Sequence, residues 1–311
     1  MRVVFLLMAV LGMVAIFVVG HRLFAPRHPA KAPPPAKIVE APGAPLAGTD
    51  VPLPAELEGY RAQLEAALAP SARLQPGGEP VARLGGKPGL PAGVAWPRSP
   101  RGAMSFLGAL DLAALHRAAP EAAAGLPASG QLLLFYDAEE QRWGFEPSDG
   151  AFFKLLHVPA ASAARTAPKG AETFPERVLG AKPVRVLGDD PLPGAKLSDA
   201  DADALYEHAA ALAPEPDHRV GGPPSWIQDD GRLDAAITAV GGSAGSPKQV
   251  EEARRTRSPG PESEWQLLWQ LDSDDAAGFM WGDAGRLYVL IRTADLRAGR
   301  FDRAWLVLQC Y

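Results

Sequence analysis

Residues 267–292, LLWQLDSDDAAGFMWGDAGRLYVLIR, read as two apolar strands joined by an acidic, glycine-containing turn. The strands span 265–272 (WQLLWQLD) and 285–292 (GRLYVLIR). Each is a short apolar or aromatic run that ends at Asp or begins at Gly, the usual punctuation of a strand. Working outward, SFLGAL (105–110), GQLLLFYD (130–137) and AWLVLQCY (304–311) have the same character, and AFFKLLHVP (151–159) is a sixth strand. Helical spacing of Leu57, Tyr60, Leu64 and Leu68 predicts a helix over 55–69, stopped by Pro70. A second helix is expected at 199–213, with Ser198 at its N-cap and Asp199, Asp201 and Asp203 in or near its positive first turn. A shorter one follows the strand at 105–110, over 111–118. Strands and helices mix without regular βαβ alternation, which predicts an α+β fold rather than a doubly wound sheet.

The same segments carry an internal echo. Arg83-Leu-Gly-Gly-Lys-Pro88 returns as Arg219-Val-Gly-Gly-Pro-Pro224, and Phe106–Leu112 resembles Leu267–Ser273. Gly130–Tyr136 resembles Gly285–Ile291, and the order is the same in both places. Similarity of this kind predicts two similar half-repeats, about 80–160 and 216–311, of mixed strands and helices packed as one body. Residues 241–263 interrupt the second copy. They lack apolar periodicity and have Gly/Ser/Pro-rich ends, so a mobile excursion is expected there.

The N-terminal region has a different composition. Residues 3–20, VVFLLMAVLGMVAIFVVG, carry no charge. Eighteen helical residues span about 27 Å, near the thickness of a bilayer's hydrocarbon core. A transmembrane anchor within residues 1–25 is expected, with a cleaved signal peptide as the alternative. Arg2 is positive on one side of the span, and Arg22, Arg27, Lys31 and Lys37 on the other. The downstream excess leans toward a cytoplasmic body, while export remains open. From 26 to 54, nine of 29 residues are proline, which predicts an extended Pro/Ala-rich linker. The folded domain is then 55–311.

Composition narrows the function classes. Residues 1–37 hold five of the 31 basic residues and no acid, leaving 26 basic against 36 acidic residues, a net −10, in the rest of the chain. Such a body is unsuited to nucleic acid, which selects a basic face. The lone Cys310 excludes an intramolecular disulfide and any cysteine-clustered metal site, and its place in an apolar strand predicts an inert thiol. No HExxH, GxSxG or Walker pattern is present. His116, His157, His208 and His218 lack ligand spacing.

Four blocks carry a family resemblance: ARLGGKPGLPAGVAWP (82–97), SFLGALDLAAL (105–115), HRVGGPPSWIQ (218–228) and the long run 267–311. Over about 56–311 the chain resembles the YwqG-like family of bacterial domains of unknown function. The resemblance implies an α+β fold and brings no established catalytic residues. Most similar proteins have no membrane anchor, so the N-terminal segment is a departure. Some relatives occur beside secreted-toxin systems, which implies an immunity, regulatory or partner-binding role.

Candidate site residues follow. Trp96, Trp226 and Trp281 sit in or beside Gly/Pro loops, and tryptophan is enriched at binding hot spots. Arg83 and Arg219 open the two Gly-Gly loops and are expected to clamp them through carbonyl or carboxylate bonds. Asp272, Asp274, Asp275 and Asp283 form the densest carboxylate cluster. Counted from Asp272, position six is Ala277 and position twelve Asp283, so the Gly and Glu of an EF-hand loop are missing. Turn-shaping by Asp is the reading preferred over metal binding. The expected function is a membrane-tethered, non-enzymatic protein-binding module without a cofactor. It would touch membrane through 3–20 and another protein through its loops. The alternative is a metal-dependent hydrolase using the acidic loop 272–283.

Overall fold

The computed structural model describes residues 43–159 and 162–311. After a 3-10 turn at Ala55–Tyr60 come α1 (Arg61–Ala67), β1 (Ala69–Gln75), β2 (Ala82–Leu84), β3 (Ser105–Asp111), α2 (Leu112–Ala118), β4 (Gln131–Tyr136) and β5 (Phe153–Val158). They are followed by β6 (Arg177–Val186), α3 (Asp199–Leu212), β7 (Arg219–Val220), α4 (Gly231–Ala239) and α5 (Pro247–Arg257). The chain closes with β8 (Trp265–Asp272), β9 (Arg286–Arg292), α6 (Thr293–Arg297) and β10 (Trp305–Gln309). The ten strands form one antiparallel sheet in the order β10-β9-β8-β7-β1-β6-β2-β3-β4-β5. It curls until its edges nearly meet: the Trp305 ring of β10 lies 5.8 Å from Phe153 of β5, and Leu308 N–H donates to the Trp143 carbonyl. The result is a nearly closed, barrel-like sheet with helices packed against it.

This corrects the expectation of two half-repeats. β1 and β6 pair with each other along Ala69–Gln75 and join β7 on one side to β2 on the other, so a single sheet runs through. β2 has three residues and β7 two, too few to complete a separate half. What the echoed letters share is local register. Arg83 faces Ala109 as Arg219 faces Gln270, and β3 and β8 each carry a bulge, at Phe106/Gly108 and Leu267/Trp269.

The strands read as unbroken apolar runs because both sheet faces are covered. Leu132, Leu134, Leu287, Val289 and Leu306 fill the barrel interior. Their neighbours Leu133 and Phe135 pack outward beneath the 88–104 segment with Leu90, Trp96 and Met104. Tyr288, Leu290 and Val307 pack outward beneath Ala235 and Ala236 of α4. Inside, a Cβ on Gly108 would lie 3.1 Å from the Trp269 ring and 2.7 Å from the Arg83 carbonyl oxygen. Gly108 therefore leaves room for Trp269, which with Trp281 is the largest of the fully buried side chains among the described residues.

Several local expectations shift. The expected helix over 55–69 is a 3-10 turn followed by α1, and Pro70 lies within β1 opposite Arg185. The helix at 199–213 forms as α3, with Ser198 and Asp201 making a reciprocal capping box. In place of a mobile excursion at 241–263 there is α5, N-capped by Ser246 and held by buried Ala253. From the linker expected over 26–54, Leu46 and Leu53 are buried with Leu57, Leu64 and Leu212. The anchor expected at Val3–Gly20 lies outside the described residues. Among the described residues no helix is long and apolar enough to cross a membrane.

Candidate functional site

The densest polar chemistry lies where β7, β8 and β9 end together. Pairing of Arg219 with Gln270 and of Asp272 with Arg286 brings distant segments into one cluster. Gln270 Nε2 donates to both the carbonyl and Oδ2 of Asp217, at 2.9 and 2.8 Å. Ser225 Oγ donates to Asp217 Oδ2 at 2.9 Å and accepts from Arg219. Arg219 faces Asp217 at 3.4 Å, with both side chains 1% exposed. Around the Ser225 carbonyl, Arg286 Nη1 and Tyr288 Oη donate at 3.2 and 2.6 Å. The Ser225 amide donates to Gln270 Oε1 at 3.0 Å. Five side chains thus fix one loop residue, and with it the Gly221–Pro224 turn. Both glycines of that turn have left-handed φ, 67° and 74°, which a side chain would strain.

The neighbouring carboxylates are taken up in the same way. Asp272 Oδ1 pairs with Arg286 Nε at 3.0 Å, and its Oδ2 accepts the Asp217 amide at 2.7 Å. His218 Nδ1 accepts the Asp272 amide at 3.0 Å, so its Nε2 carries the proton donated to Asp274 Oδ2 at 3.1 Å. That hydrogen bond, with Arg177 adding its charge, holds the Asp274 carboxyl down at about 2. Asp275 and Asp283 are exposed, and their carbonyls accept the amides of Gly278 and Tyr311. The 272–283 acids therefore diverge into separate bonds. Among the described residues no group of three or more His, Cys, Asp or Glu is placed to hold a metal ion.

The loop tryptophans divide. Trp96 is buried against Phe135, 5.4 Å between centroids, and its Nε1 donates to the Met104 carbonyl. Trp281 is buried against Phe279, Phe174 and Tyr136, and its Nε1 donates to the Asp272 carbonyl. Both side chains are thus buried, at 7% and 1% exposure. Trp226 is half-buried on Tyr288, 4.5 Å between centroids. Arg83 is half-exposed, with Glu176 at 3.7 Å, whereas Arg219 is fully buried.

The exposed aromatic surface lies elsewhere. Among the described residues, the large apolar side chains left exposed are Trp143, Val178, Tyr206, Met280 and Tyr311. Three of these, Trp143, Met280 and Tyr311, belong to one end of the sheet. Gln141 Nε2 donates to the Met280 carbonyl, the Trp143 carbonyl accepts from Leu308, and the Tyr311 amide donates to the Asp283 carbonyl. The Tyr311 hydroxyl has Arg286, Glu215 and Tyr206 as neighbours. Single residues at 143, 280 and 311 gave no local signal in the sequence, because backbone pairing alone gathers them.

A wide groove of about 1040 Å³ lies between the 228–234 segment and α5. Phe145, Leu233, Ala244 and Val250 give it apolar walls. Asp234 in this wall is pushed up to about 7, first by burial and then by Asp230 and Asp229.

The family model DUF1963, described as a domain of unknown function, matches residues 82–310. That span takes in every strand but β1, and the whole polar cluster at 217–286. No curated protein matches the chain. By this match over most of its length, the chain belongs to the DUF1963 family.

Proposed function

We propose that this protein is a non-enzymatic protein-binding module held at a membrane by residues 3–20, in an immunity or regulatory setting of the kind that the YwqG-like resemblance implies. The observation that carries the binding reading is the gathering of exposed Trp143, Met280 and Tyr311 at one end of the sheet, with Tyr206 of α3 near Tyr311. Tyr, Trp and Met are the residue types enriched in interface cores. The rigid sheet fixes their main chains, which lowers the ordering cost of binding. Much of the polar cluster behind them is engaged in internal bonds around Ser225 and Asp272, which suits a scaffold.

Two results are expected. Full-length protein stays with the membrane fraction through a carbonate wash, and its release there would refute the anchor. Trp143→Ala and Tyr311→Ala, used separately to capture the partner from the native host, each weaken capture by about tenfold or more, corresponding to at least about 1.4 kcal/mol. Their melting temperatures stay within a few degrees of the parent, because neither side chain is in the core. Unchanged capture by both variants would remove this surface from the binding reading.

A further inference from the structure

We propose that the groove beside α4 and α5, continued across Arg232 by a second groove along β8, binds an extended peptide segment bearing arginine or lysine. Arg232 lines both cavities, of about 1040 and 450 Å³. The chain at 262–268 runs past both: Glu262 and Ser263 belong to the first, Trp265 to Leu268 to the second. One elongated ligand can therefore lie along the pair. Its occupant is a different partner surface from the aromatic end, so this proposal does not depend on that one.

Charge selects the sign of the occupant. Arg232 is held by Asp230 through both carboxylate oxygens, and Arg254 by Glu262 at 3.2 Å. Among the described residues Asp229, Asp234 and Glu251 have no cation paired with them, although all line the first groove. Asp234 is the telling member. It lies on an apolar wall and next to Asp229 and Asp230, an environment that disfavours its charged form. An arginine or lysine side chain entering there would restore that charge and take up the excess.

A second observation points to a polymer with carbonyl groups. Trp265 helps line the second groove and is 4% exposed, and among the described residues its indole Nε1 has no acceptor. A buried donor left unpaired is costly, and a small turn of the indole toward the adjoining groove would let a peptide carbonyl there satisfy it. The opposite wall is the Gly221–Pro224 turn, fixed through Ser225 by Gln270, Arg286 and Tyr288. The groove is thus shaped before a ligand arrives, which spares the cost of ordering its wall.

The test uses the full-length protein in mild detergent and two labelled heptapeptides, APRAPRA and APEAPEA, followed by fluorescence anisotropy. Saturable binding of the arginine peptide, weakened about tenfold in Asp234→Asn and also weakened in Trp265→Phe, is expected. The glutamate peptide should not bind. Asp230 and Asp229 act directly on Asp234, and the other charged groups lining the same groove are Arg232, Glu251 and Arg254 from α5, and Glu262 from the turn at Glu262–Glu264. Because Asp234 gives up its proton near 7, arginine-peptide affinity should rise between pH 5.5 and 8, and this rise should be lost in Asp234→Asn. Equal binding of both peptides, no saturation with the arginine peptide, or an unaltered pH profile in Asp234→Asn would overturn the proposal. Melting curves for both variants accompany the titrations, and a variant that loses binding only by unfolding is replaced by Glu251→Gln, for which the same weakening is required. Loss of capture in Trp143→Ala with peptide binding intact would separate the two surfaces.

Discussion

Arg219→Met is expected to lower folding stability by about 3–5 kcal/mol, read as a shift in the urea midpoint with an unchanged slope. The guanidinium is 1% exposed, on a two-residue strand between β1 and β8. Burial works against its charge, and Asp217 is the nearby group that opposes this. Removing the cation leaves the Asp217 carboxylate equally buried, with Ser225 and Gln270 as hydrogen-bond partners and Arg286 as the remaining, less direct cation. An uncompensated buried charge is more damaging than the pair it came from. The double variant Arg219→Met/Asp217→Asn should recover most of the loss. Asparagine still accepts from Ser225 and Gln270, and no net charge then remains in the pair. The recovery should be large because Arg219 Nε and Nη1 and Asp217 Oδ1 lack hydrogen-bond partners among the described residues, so the pair is itself poorly compensated. A single variant as stable as the parent would show that Arg219 is not the charge partner of Asp217. A double variant no better than the single would place the cost in packing.

That cluster also marks how far the sequence could be read. Strands such as LLLFY (132–136) and LYVLI (287–291) were legible because covering both faces demands an unbroken apolar run. The strands joining them were not. β1, APSARLQ, and β6, RVLGAKPVRV, mix polar residues with proline, yet they pair in the middle of the sheet. Proline normally argues against a central strand, so Pro70 and Pro183 hid the connection that turns two apparent halves into one sheet. α5 was equally hidden: QVEEARRTR offers one buried alanine, and a capping serine does much of the rest. At the site, Arg219 could be singled out from its Gly-Gly turn, but not its partners. Asp217 and Gln270 meet through β7–β8 register across 53 residues of sequence, and Arg286 joins them through the pairing of β9 with β8. His218 looked isolated for the same reason, since its two carboxylate-bearing neighbours lie at 272 and 274.

Trp281→Ala is expected to cost about 3–5 kcal/mol of stability, the range for deleting a buried large aromatic side chain. In sequence Trp281 sits between Met280 and Gly282, a loop setting that suggests a side chain offered to a partner. The structure turns it inward, 1% exposed, while Met280 beside it points out at 52%. The indole closes the barrel end against Phe279 at 4.9 Å and Phe174 at 6.2 Å, and its Nε1 donates to the Asp272 carbonyl. Alanine would open a cavity and strip that carbonyl of its donor. The backbone cannot readily collapse to fill the space, because Trp281 N–H is tied to Ser273 Oγ and the Trp281 carbonyl accepts the Gly285 amide. Trp281→Phe, which keeps a ring but loses the N–H, should fall between alanine and parent. Met280→Ala, one residue away, should leave the urea midpoint almost unchanged and act on partner capture instead. A loss below about 1 kcal/mol in Trp281→Ala would mean that the 273–285 loop repacks freely. The barrel end would then be a yielding lid, and Trp281 a side chain that can swing out to meet a partner.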